Sequence, residues 1–339
     1  MNSVKHPTIY DIASEANVSI STVSRVLNNS AVVSEKKKAK IEEAIQKLNY
    51  VPNVIARSLA NKLSHTIGLI VSDLSNPFFT DVIDGIEHVI SKEEYFAFNC
   101  DTRYDLAREK KYIGRMLQKR VDGIITFSTN DDAYELIKDA KQLVPVVSVQ
   151  SQFRDTDSVN TYDAKGAYMA VEHLIKLGHK KIAFIVFDYD NLTIESRTNG
   201  FMLAHEKYGL PLNKKYIFKT KFGADAGSNV TNEILDNHPE ITAIFAYNDK
   251  LAVASYTAIQ ARGLNIPDDM SIVGYDDTVS ASIVNPKLTT VSQPRYEMGV
   301  KAAELLMKRI REKDEKAEPE LILLKEKLVV RESTRALKR

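Results

Sequence analysis

A run of hydroxyl and guanidinium side chains near the N-terminus has the chemistry of a surface that contacts nucleic acid. It spans Ser21 to Arg25, so a helix there would present these groups from its first turns. Hydroxyls donate hydrogen bonds to phosphates, and arginine binds a phosphate or the edge of a guanine. The second helix of a helix-turn-helix lies in the major groove, with its N-terminal side chains at base edges. The run therefore indicates DNA binding, although helix pairs with polar faces also occur in other α-helical proteins.

Two short helices are predicted to position this run. Thr8 can cap a first helix that ends near Ala16. Asn17 then makes the turn, because asparagine tolerates the left-handed backbone conformation that would otherwise call for glycine. Ser19 caps a second helix over residues 20–27. The sequence therefore predicts a helix, a tight turn and a second helix whose exposed start is polar.

A third helix and a short linker complete this region. Ser34 can cap the third helix, whose apolar face is marked by the spacing of Ile41, Ala44, Ile45 and Leu48. Pro52 ends it. Residues 53–61 could form about two more helical turns, and a helix this short is marginal in isolation. We expect this linker to become ordered only when something packs against it.

The charge of the chain is distributed unevenly. The whole chain has 46 basic and 45 acidic side chains, of which residues 1–63 contain nine basic and five acidic ones. The rest of the chain therefore has 37 basic and 40 acidic side chains. A basic head on a near-neutral body suggests that only the head contacts a polyanion. A solvated helix face would explain the lysines of residues 36–40 equally well.

The first sixty residues resemble the DNA-binding headpiece and hinge of the lactose-repressor/galactose-repressor (LacI/GalR) family of bacterial regulators. The resemblance lies in residues 8–13, 16–19, 21–28, 48–53 and 56–60. It implies DNA contacts from the headpiece residues Thr8, Tyr10, Ser19, Ile20, Ser21, Thr22, Ser24, Arg25 and Asn28. It also implies contacts from the hinge residues Asn53, Ala56, Leu59 and Ala60. Leu59 is at the position where family members insert a leucine between base pairs of the minor groove, which kinks the duplex.

After residue 66 the pattern changes to apolar strands that alternate with amphipathic helices. Ten strands are predicted, at residues 67–72, 97–100, 123–126, 146–149, 181–186, 216–219, 243–247, 271–275, 289–292 and 321–330. Such alternation is typical of parallel sheets covered by helices on both faces. Ten strands exceed one comfortable sheet, so we predict two lobes of about five strands each, with a ligand crevice at the carboxyl ends of the strands.

This body resembles the effector domain of the same family, which is akin to periplasmic sugar-binding proteins, up to about residue 334. The resemblance implies a ligand site formed by Asp73, Phe78, Phe79, Phe127, Gln150, Arg197, Phe222, Asn248 and Asp276. Asn248 and Asp276 directly follow predicted strands, so both belong at the crevice. Two residues depart from the family pattern. Many members have an aspartate in place of Gln150, and some have a polar residue in place of Phe127.

Several classes of protein are excluded by what the sequence lacks. It contains no phosphate-binding glycine loop, dinucleotide fingerprint, zinc-protease motif or hydrolase nucleophile motif. The seven histidines have no metal-ligand spacing, and Cys100 is the only cysteine. The N-terminus has no apolar signal segment, and no apolar run is long enough to span a membrane. We therefore expect no enzyme, no cofactor and no bound metal, and a protein located in the cytoplasm and associated with the nucleoid.

These observations predict an N-terminal all-α helix-turn-helix headpiece with a hinge helix, followed by an α/β two-lobed effector domain of the periplasmic-binding-protein type with two doubly wound parallel sheets. The expected boundaries are 1–52 for the headpiece, 53–63 for the hinge and 64–339 for the effector and dimerisation domain. No leucine-heptad segment follows the last strand, so we expect a homodimer on a pseudo-palindromic operator. A sugar or sugar phosphate is the expected effector. A protein corepressor in place of that effector, or a cytoplasmic binding protein without DNA function, are the alternatives.

Overall fold

The computed structural model describes residues 7–27, 33–50, 63–127, 133–151, 153, 155–189, 191–211, 214–223, 225–312 and 317–337. The chain forms two compact units, which divide after His65. The first unit is helical, and the second alternates strands with helices.

The described residues of the first unit form three helices: α1 (Ile9–Glu15), α2 (Ile20–Leu27) and α3 (Glu35–Leu48). Asn17 has the predicted left-handed conformation between α1 and α2, with φ of 51°. Each helix contributes a completely buried residue to the small core: Ile12, Val23 and Ile41. The regularly spaced apolar residues thus pack into a core, and the polar side of α2 faces away from it.

The predicted capping residues begin these helices. The backbone N–H of Thr8 and its hydroxyl both donate to Asp11 Oδ2, each at 2.7 Å, in a capping box. The backbone N–H of Thr22 donates to Ser19 Oγ at 3.2 Å. Ser34 occupies the capping position of α3 with extended backbone, but its side chain makes no capping hydrogen bond. Local capping chemistry therefore determines where α1 and α2 start.

The described residues of the second unit form two six-stranded sheets. The strands of the first sheet are β1 (Thr66–Val71), β2 (Phe96–Asp101), β3 (Gly123–Thr126), β4 (Val146–Val149), β5 (Asp157–Thr161) and β11 (Leu321–Leu324). They are arranged in the order β11-β5-β4-β3-β1-β2 and are all parallel. The helices of this first lobe are α4 (Pro77–Ile90), α5 (Leu106–Gln118), α6 (Tyr134–Lys141) and α12 (Arg295–Glu312).

The strands of the second sheet are β6 (Ile182–Phe187), β7 (Ile217–Thr220), β8 (Ala243–Ala246), β9 (Ser271–Asp276), β10 (Thr289–Ser292) and β12 (Lys327–Val329). Their order is β12-β10-β9-β8-β6-β7, and β12 is antiparallel to β10 while the other pairs are parallel. The helices of this second lobe are α7 (Asp163–Lys176), α8 (Leu192–Lys207), α9 (Ala226–Asn237), α10 (Asp249–Ala261) and α11 (Val279–Ile283). The predicted two-lobed α/β class is confirmed, with mostly parallel sheets.

The chain passes between the lobes three times: between β5 and α7, between β10 and α12, and between β11 and β12. Each lobe is therefore assembled from separate stretches of sequence. Polar residues at these crossings, above all Gln293 and Glu326, lie close to the carboxyl ends of the strands of both sheets.

Two strand predictions were wrong. Strand β5 was not predicted, because only Val159 among its five residues is aliphatic, yet all five residues are buried. Its Asp157 accepts two hydrogen bonds from Arg309, each at 2.8 Å. The single strand predicted over residues 321–330 is in fact two strands, one in each sheet. Hydrophobic patterning indicates that a segment is extended, but it carries no information about the sheet in which it pairs.

Candidate nucleic-acid interface and ligand cleft

Helix α2 presents a polar and partly apolar face to solvent. Ser21 and Arg25 are exposed, and Ile20 is 42% exposed, whereas Val23 is completely buried on the opposite side. Leu27 is half-buried against the same core. The helix thus separates the residues that hold it in the unit from those that are able to contact a partner, as the sequence predicted.

Hydroxyl groups cluster where α2 begins. Ser19 Oγ lies 2.9 Å from Ser21 Oγ and 2.8 Å from Thr22 Oγ1. The unsatisfied N–H groups and the positive end of the helix dipole are also at this terminus, so it suits a phosphate oxygen. Ser24 is half-buried, and Thr8 and Tyr10 are exposed at the start of α1.

Five predicted DNA contacts lie outside the described residues. These are Asn28, Asn53, Ala56, Leu59 and Ala60. They stay predictions from the sequence alone, as does every contact with DNA assigned to α1 and α2.

In the second unit, the predicted ligand residues are concentrated at the carboxyl ends of the strands. Those that end or directly follow a strand are Phe127, Gln150 and Asp276, while Asp73, Phe222 and Asn248 stand two residues beyond one. Phe78 and Phe79 open α4, and Arg197 lies in α8. The two sheets face each other across a cleft at these ends, where open α/β sheets bind ligands. The topology therefore brings together residues that are 200 positions apart in the sequence.

Arg197 is the most constrained of these residues. Its side chain is 2% exposed. Nε donates to Asp163 Oδ1 at 2.8 Å, Nη1 donates to the carbonyl of Tyr247 at 2.6 Å, and the guanidinium lies 3.6 Å from the ring centroid of Tyr275. A buried arginine needs this kind of pairing, because an unpaired buried charge is very costly. Arg197 is therefore a structural centre of the second lobe, and its contact with a ligand stays a prediction.

Asp276 and Gln150 are joined through a residue of the second crossing. Gln293 Nε2 donates to Asp276 Oδ1 at 2.7 Å, and Gln150 Nε2 donates to Gln293 Oε1 at 2.7 Å. Asp276 is 3% exposed, and burial raises the pKa of its carboxyl although Arg197 and Gln293 act in the opposite direction. Gln150 and Asp276 have φ values of 57° and 109°, in the region that favours glycine. Such backbone strain concentrates at ligand and active sites.

Asn248 has a capping role. Its Oδ1 accepts a hydrogen bond from the backbone N–H of Leu251 at 3.0 Å, which begins α10. The next residue, Asp249, is completely buried and accepts hydrogen bonds from the hydroxyls of Thr290 and Thr278. Burial and the nearby Asp276 raise the pKa of the Asp249 carboxyl. This network ties α10 to β10 and to the loop after β9.

Asp73 takes part in a contact between the lobes. Lys250 Nζ, from the second lobe, donates to Asp73 Oδ2 at 2.8 Å and to Ser75 Oγ at 2.7 Å. Burial by itself would raise the pKa of Asp73, but the hydrogen bonds from Lys250 and Ser75 outweigh it and lower the pKa. Lys250 was not among the predicted residues, although its place directly after Asn248 and Asp249 could have indicated it.

The predicted phenylalanines fall into two groups. Phe78, Phe79 and Phe127 are nearly inaccessible and pack edge to face, with centroids 5.2 and 5.4 Å apart. Phe222 is 37% exposed, and its ring is stacked between those of Tyr104 and Phe187. The first group belongs to the packing of the first lobe, and of the four predicted phenylalanines only Phe222 is exposed.

Three tyrosines of the cleft were missed by sequence reasoning: Tyr104, Tyr189 and Tyr247. Each follows a strand by one to three residues, namely β2, β6 and β8. Position after a strand was therefore a usable signal.

Two features are absent from the part of the chain that the structure describes. No group of three or more His, Cys, Asp or Glu side chains there is arranged to hold a metal ion. Among the same residues, no helix has both the length and the apolar character needed to cross a membrane.

Two family models match the chain. That of the bacterial regulatory proteins of the lacI family matches residues 8–53, and that of the periplasmic binding proteins and sugar binding domain of the LacI family matches residues 64–332. The transcriptional regulator DegA of Bacillus subtilis is 38% identical over 336 residues, which cover 97% of this chain and 98% of DegA.

Solved structures of the same kind are similar over nearly the whole chain. The lac repressor dimer bound to operator and an anti-inducer has a TM-score of 0.87 at 28% identity, and covers 98% of this chain and 100% of its own. The complex of the transcriptional regulator CelR with cellobiose has a TM-score of 0.72 at 28% identity, with coverage of 97% and 100%. The helical unit, the two-lobed unit and their order along the chain are common to these proteins.

Proposed function

Because the chain belongs to the LacI family of DNA-binding transcriptional regulators, we propose that it is a repressor that binds a pseudo-palindromic operator as a homodimer and is controlled by a sugar in the cleft of its second unit. It is a regulator and not an enzyme, as its relatives are. In this proposal, residues 1–52 read DNA, residues 53–63 form the hinge, and residues 64–339 bind the effector and the second subunit. Its place of action is the cytoplasm, on chromosomal DNA.

The exposed face of α2 carries the DNA-binding part of this proposal. Ser21 and Arg25 are exposed on the helix that follows the left-handed turn at Asn17, with the hydroxyl cluster at its N-terminus. We assign Arg25 to a base edge, because a guanidinium can make two hydrogen bonds to guanine. The serine and threonine hydroxyls are assigned to phosphates, which set the position of the helix.

The cleft supports a neutral, hydroxyl-rich effector. Its two central cationic side chains, Arg197 and Lys250, are already paired with carboxylates at 2.8 Å. A phosphate would have to break one of these pairs, whereas sugar hydroxyls can bind to carboxylates and amides that keep their partners. The complex of CelR with cellobiose shows a relative with such a ligand. We therefore propose a sugar and not a sugar phosphate.

Two exposed apolar patches of the second unit support the homodimer. Phe96 and Phe98, on the edge strand β2, are 75% and 52% exposed. Val279 and Ile283, one turn apart on α11, are 61% and 73% exposed. We propose that a second copy of the chain covers both patches. Effector-dependent movement of the lobes would then change the spacing of the two hinges, and a coupling of about 1–3 kcal/mol would alter operator affinity about 5–150-fold.

Selection of duplexes from a random DNA library with the full-length protein tests this function. The affinity for the selected duplex and for a scrambled duplex is then measured over a range of salt concentrations. We expect a marked preference for the selected duplex and a steep loss of affinity with salt. Equal affinity for both duplexes would refute sequence-specific regulation.

Arg25→Ala should lower the affinity for the selected duplex by about 1–3 kcal/mol and affect the scrambled duplex much less. Lys40→Ala, which removes another exposed positive charge, from α3, is the matched control and should leave the preference unchanged. Loss of affinity for both duplexes to the same extent in the Arg25 variant would mean that this residue contacts only phosphate.

A further inference from the structure

Tyr104 extends from the first lobe into an aromatic site of the second lobe. Its ring stacks on that of Phe222, with centroids 3.7 Å apart and planes 6° apart. It also meets the ring of Tyr189 edge to face at 5.9 Å. Behind these rings, Phe187 stacks on Phe222 at 4.4 Å and contacts Tyr247 at 5.6 Å. We call Phe187, Tyr189, Phe222 and Tyr247 the aromatic pocket, and Tyr104 is the ring that fills it.

The loop that carries Tyr104 is held in an unfavourable conformation. Arg103 and Tyr104 both have left-handed backbone, with φ of 52° and 57°. This conformation is strained for residues with side chains, and it persists only where the surroundings compensate. The compensation is visible at both ends of the loop. Asp101 accepts a hydrogen bond from the backbone N–H of Arg103 at 3.2 Å, and Asp105 caps α5 through the N–H of Ala107 at 2.8 Å.

The phenol of Tyr104 shares its surroundings with the residues proposed to bind the effector. Burial raises the pKa of its hydroxyl well above the usual value, and Tyr247, Asp73 and Asp276 add to this effect. A six-membered ring bearing a hydroxyl thus lies flat on an aromatic face and close to two carboxylates. A pyranose bound in a cleft of this kind presents the same features.

We propose that Tyr104 is an intramolecular competitor of the effector: its ring occupies the aromatic pocket, and a pyranose has to displace it in order to bind. The inference rests on the proposed function only for the assignment of the cleft as the effector site. The Lys250–Asp73 ion pair joins the lobes beside the pocket, next to Phe187 and Phe222. The effector can then bind only those molecules in which the Tyr104 ring has left the aromatic pocket. Because these are a fraction of the population, the apparent affinity for the effector is lower.

Binding of 4-methylphenol, which has the ring and hydroxyl of a tyrosine side chain, tests whether Tyr104 fills a preformed site. It is titrated calorimetrically into the full-length wild type, Tyr104→Ala and Tyr104→Phe. We expect it to bind Tyr104→Ala at least about tenfold more tightly than the wild type, because truncation empties the pocket while leaving its walls in place. Tyr104→Phe keeps the ring and should behave as the wild type does.

The double variant Tyr104→Ala/Phe222→Ala shows where 4-methylphenol binds. Removal of the Phe222 ring, on which Tyr104 stacks, should abolish the gain in 4-methylphenol affinity. Tyr104→Leu has no aromatic face but retains apolar bulk on the loop, and it replaces the alanine variant if that protein does not fold. Equal binding to the wild type and to the folded truncation, no binding to that truncation, or a gain that survives loss of Phe222 would each overturn the proposal. Operator affinity, measured in parallel without 4-methylphenol, reports separately on the DNA-binding function.

Discussion

At the scale of single residues, the cleft is lined by carboxyl groups that are held among apolar and aromatic neighbours. Glu326 lies at the third crossing and accepts a hydrogen bond from the hydroxyl of Tyr275. Burial, together with Asp163, raises the pKa of Glu326 to about 8, against the opposing effects of Tyr275 and Arg197. The raised pKa favours the neutral form of this carboxyl group in the folded protein, so we expect the stability of the segment that connects the lobes to depend on pH.

The pH dependence of stability should be smaller in Glu326→Gln than in the wild type. The folded pKa lies above the unfolded value of 4.5, so the folded protein keeps a proton that the unfolded chain loses as pH rises. The stabilising contribution is complete below that value and is lost as pH rises towards about 8. Glutamine stays neutral throughout and avoids this loss, so between about pH 5.5 and 8.5 the variant should lose less free energy of unfolding.

Thermal unfolding of the two proteins at matched pH values measures this difference. Glu135→Gln, at a side chain that is 72% exposed, is the control and should follow the wild type. Identical pH profiles for wild type and Glu326→Gln would show that Glu326 ionises in the folded protein as an exposed glutamate does.

At the scale of elements, close approach of two helices holds the first lobe together. A Cβ atom added to Gly299 of α12 would lie 1.9 Å from the carbonyl oxygen of Val82 in α4. One added to Gly85 of α4 would lie 2.1 Å from the carbonyl oxygen of Tyr296. Backbone atoms cannot turn aside as a flexible side chain can, so only glycine permits this packing. Because α12 comes from the far end of the chain, this contact also joins distant parts of the sequence.

Gly299→Ala should lower the free energy of unfolding by about 1–3 kcal/mol, since α4 and α12 have to separate to admit the methyl group. Gly114→Ala is the matched control, because a Cβ at this position in α5 meets nothing within 4 Å. That change should instead stabilise the protein by about 0.5–1 kcal/mol through helix propensity. Chemical denaturation measures the free energy of unfolding of both variants. A Gly299→Ala protein as stable as the wild type would mean that α4 and α12 separate at little cost.

Asn248 caps the N-terminus of α10. Asn248→Ala removes the acceptor for the N–H of Leu251 and should cost about 0.5–2 kcal/mol of stability. Asn248→Asp keeps an acceptor there and should retain most of that stability. Denaturant melts of the two variants separate the capping role from effector binding. If the alanine variant were as stable as the wild type, capping would not be the reason for asparagine at this position.

At the scale of the whole molecule, the proposed function requires two copies of the chain to act together. Two helix-turn-helix units on a two-fold axis match the symmetry of a pseudo-palindromic site. The apolar patches on β2 and α11 belong to different lobes of the second unit. A partner that covers both would therefore respond to any change in the relative orientation of the lobes. In the proposed homodimer, this arrangement would couple effector binding to operator binding.

Phe98→Asp should dissociate the proposed homodimer, because it places a charge in the centre of an apolar contact. Sedimentation equilibrium would show a monomer, and operator affinity at the same protein concentration would fall. Leu143→Asp, at a side chain that is 69% exposed outside both patches, controls for loss of exposed apolar surface and should stay dimeric. A Phe98→Asp protein that remained dimeric would exclude β2 from the interface.

Local sequence patterns were sufficient to predict the features that depend on neighbouring residues. Helices α1 and α2 begin after the predicted capping residues Thr8 and Ser19, and the turn at Asn17 has the predicted conformation. Capping and turn formation involve residues within about four positions of one another, so short-range patterns are sufficient to predict them. The apolar strands and the two-lobed class followed for the same reason, since periodicity is a local property.

The tertiary structure alone decided which distant residues meet. It made the polar segment Asp157–Thr161 a strand, and it separated residues 321–330 into two sheets. It paired Arg197 with Asp163 and brought Tyr104 against Phe222. Each of these outcomes depends on which long-range contacts can be satisfied together, and a buried charge or ring takes the partner that the topology places beside it. No short stretch of sequence contains that information, because the partners belong to different strands, helices and lobes.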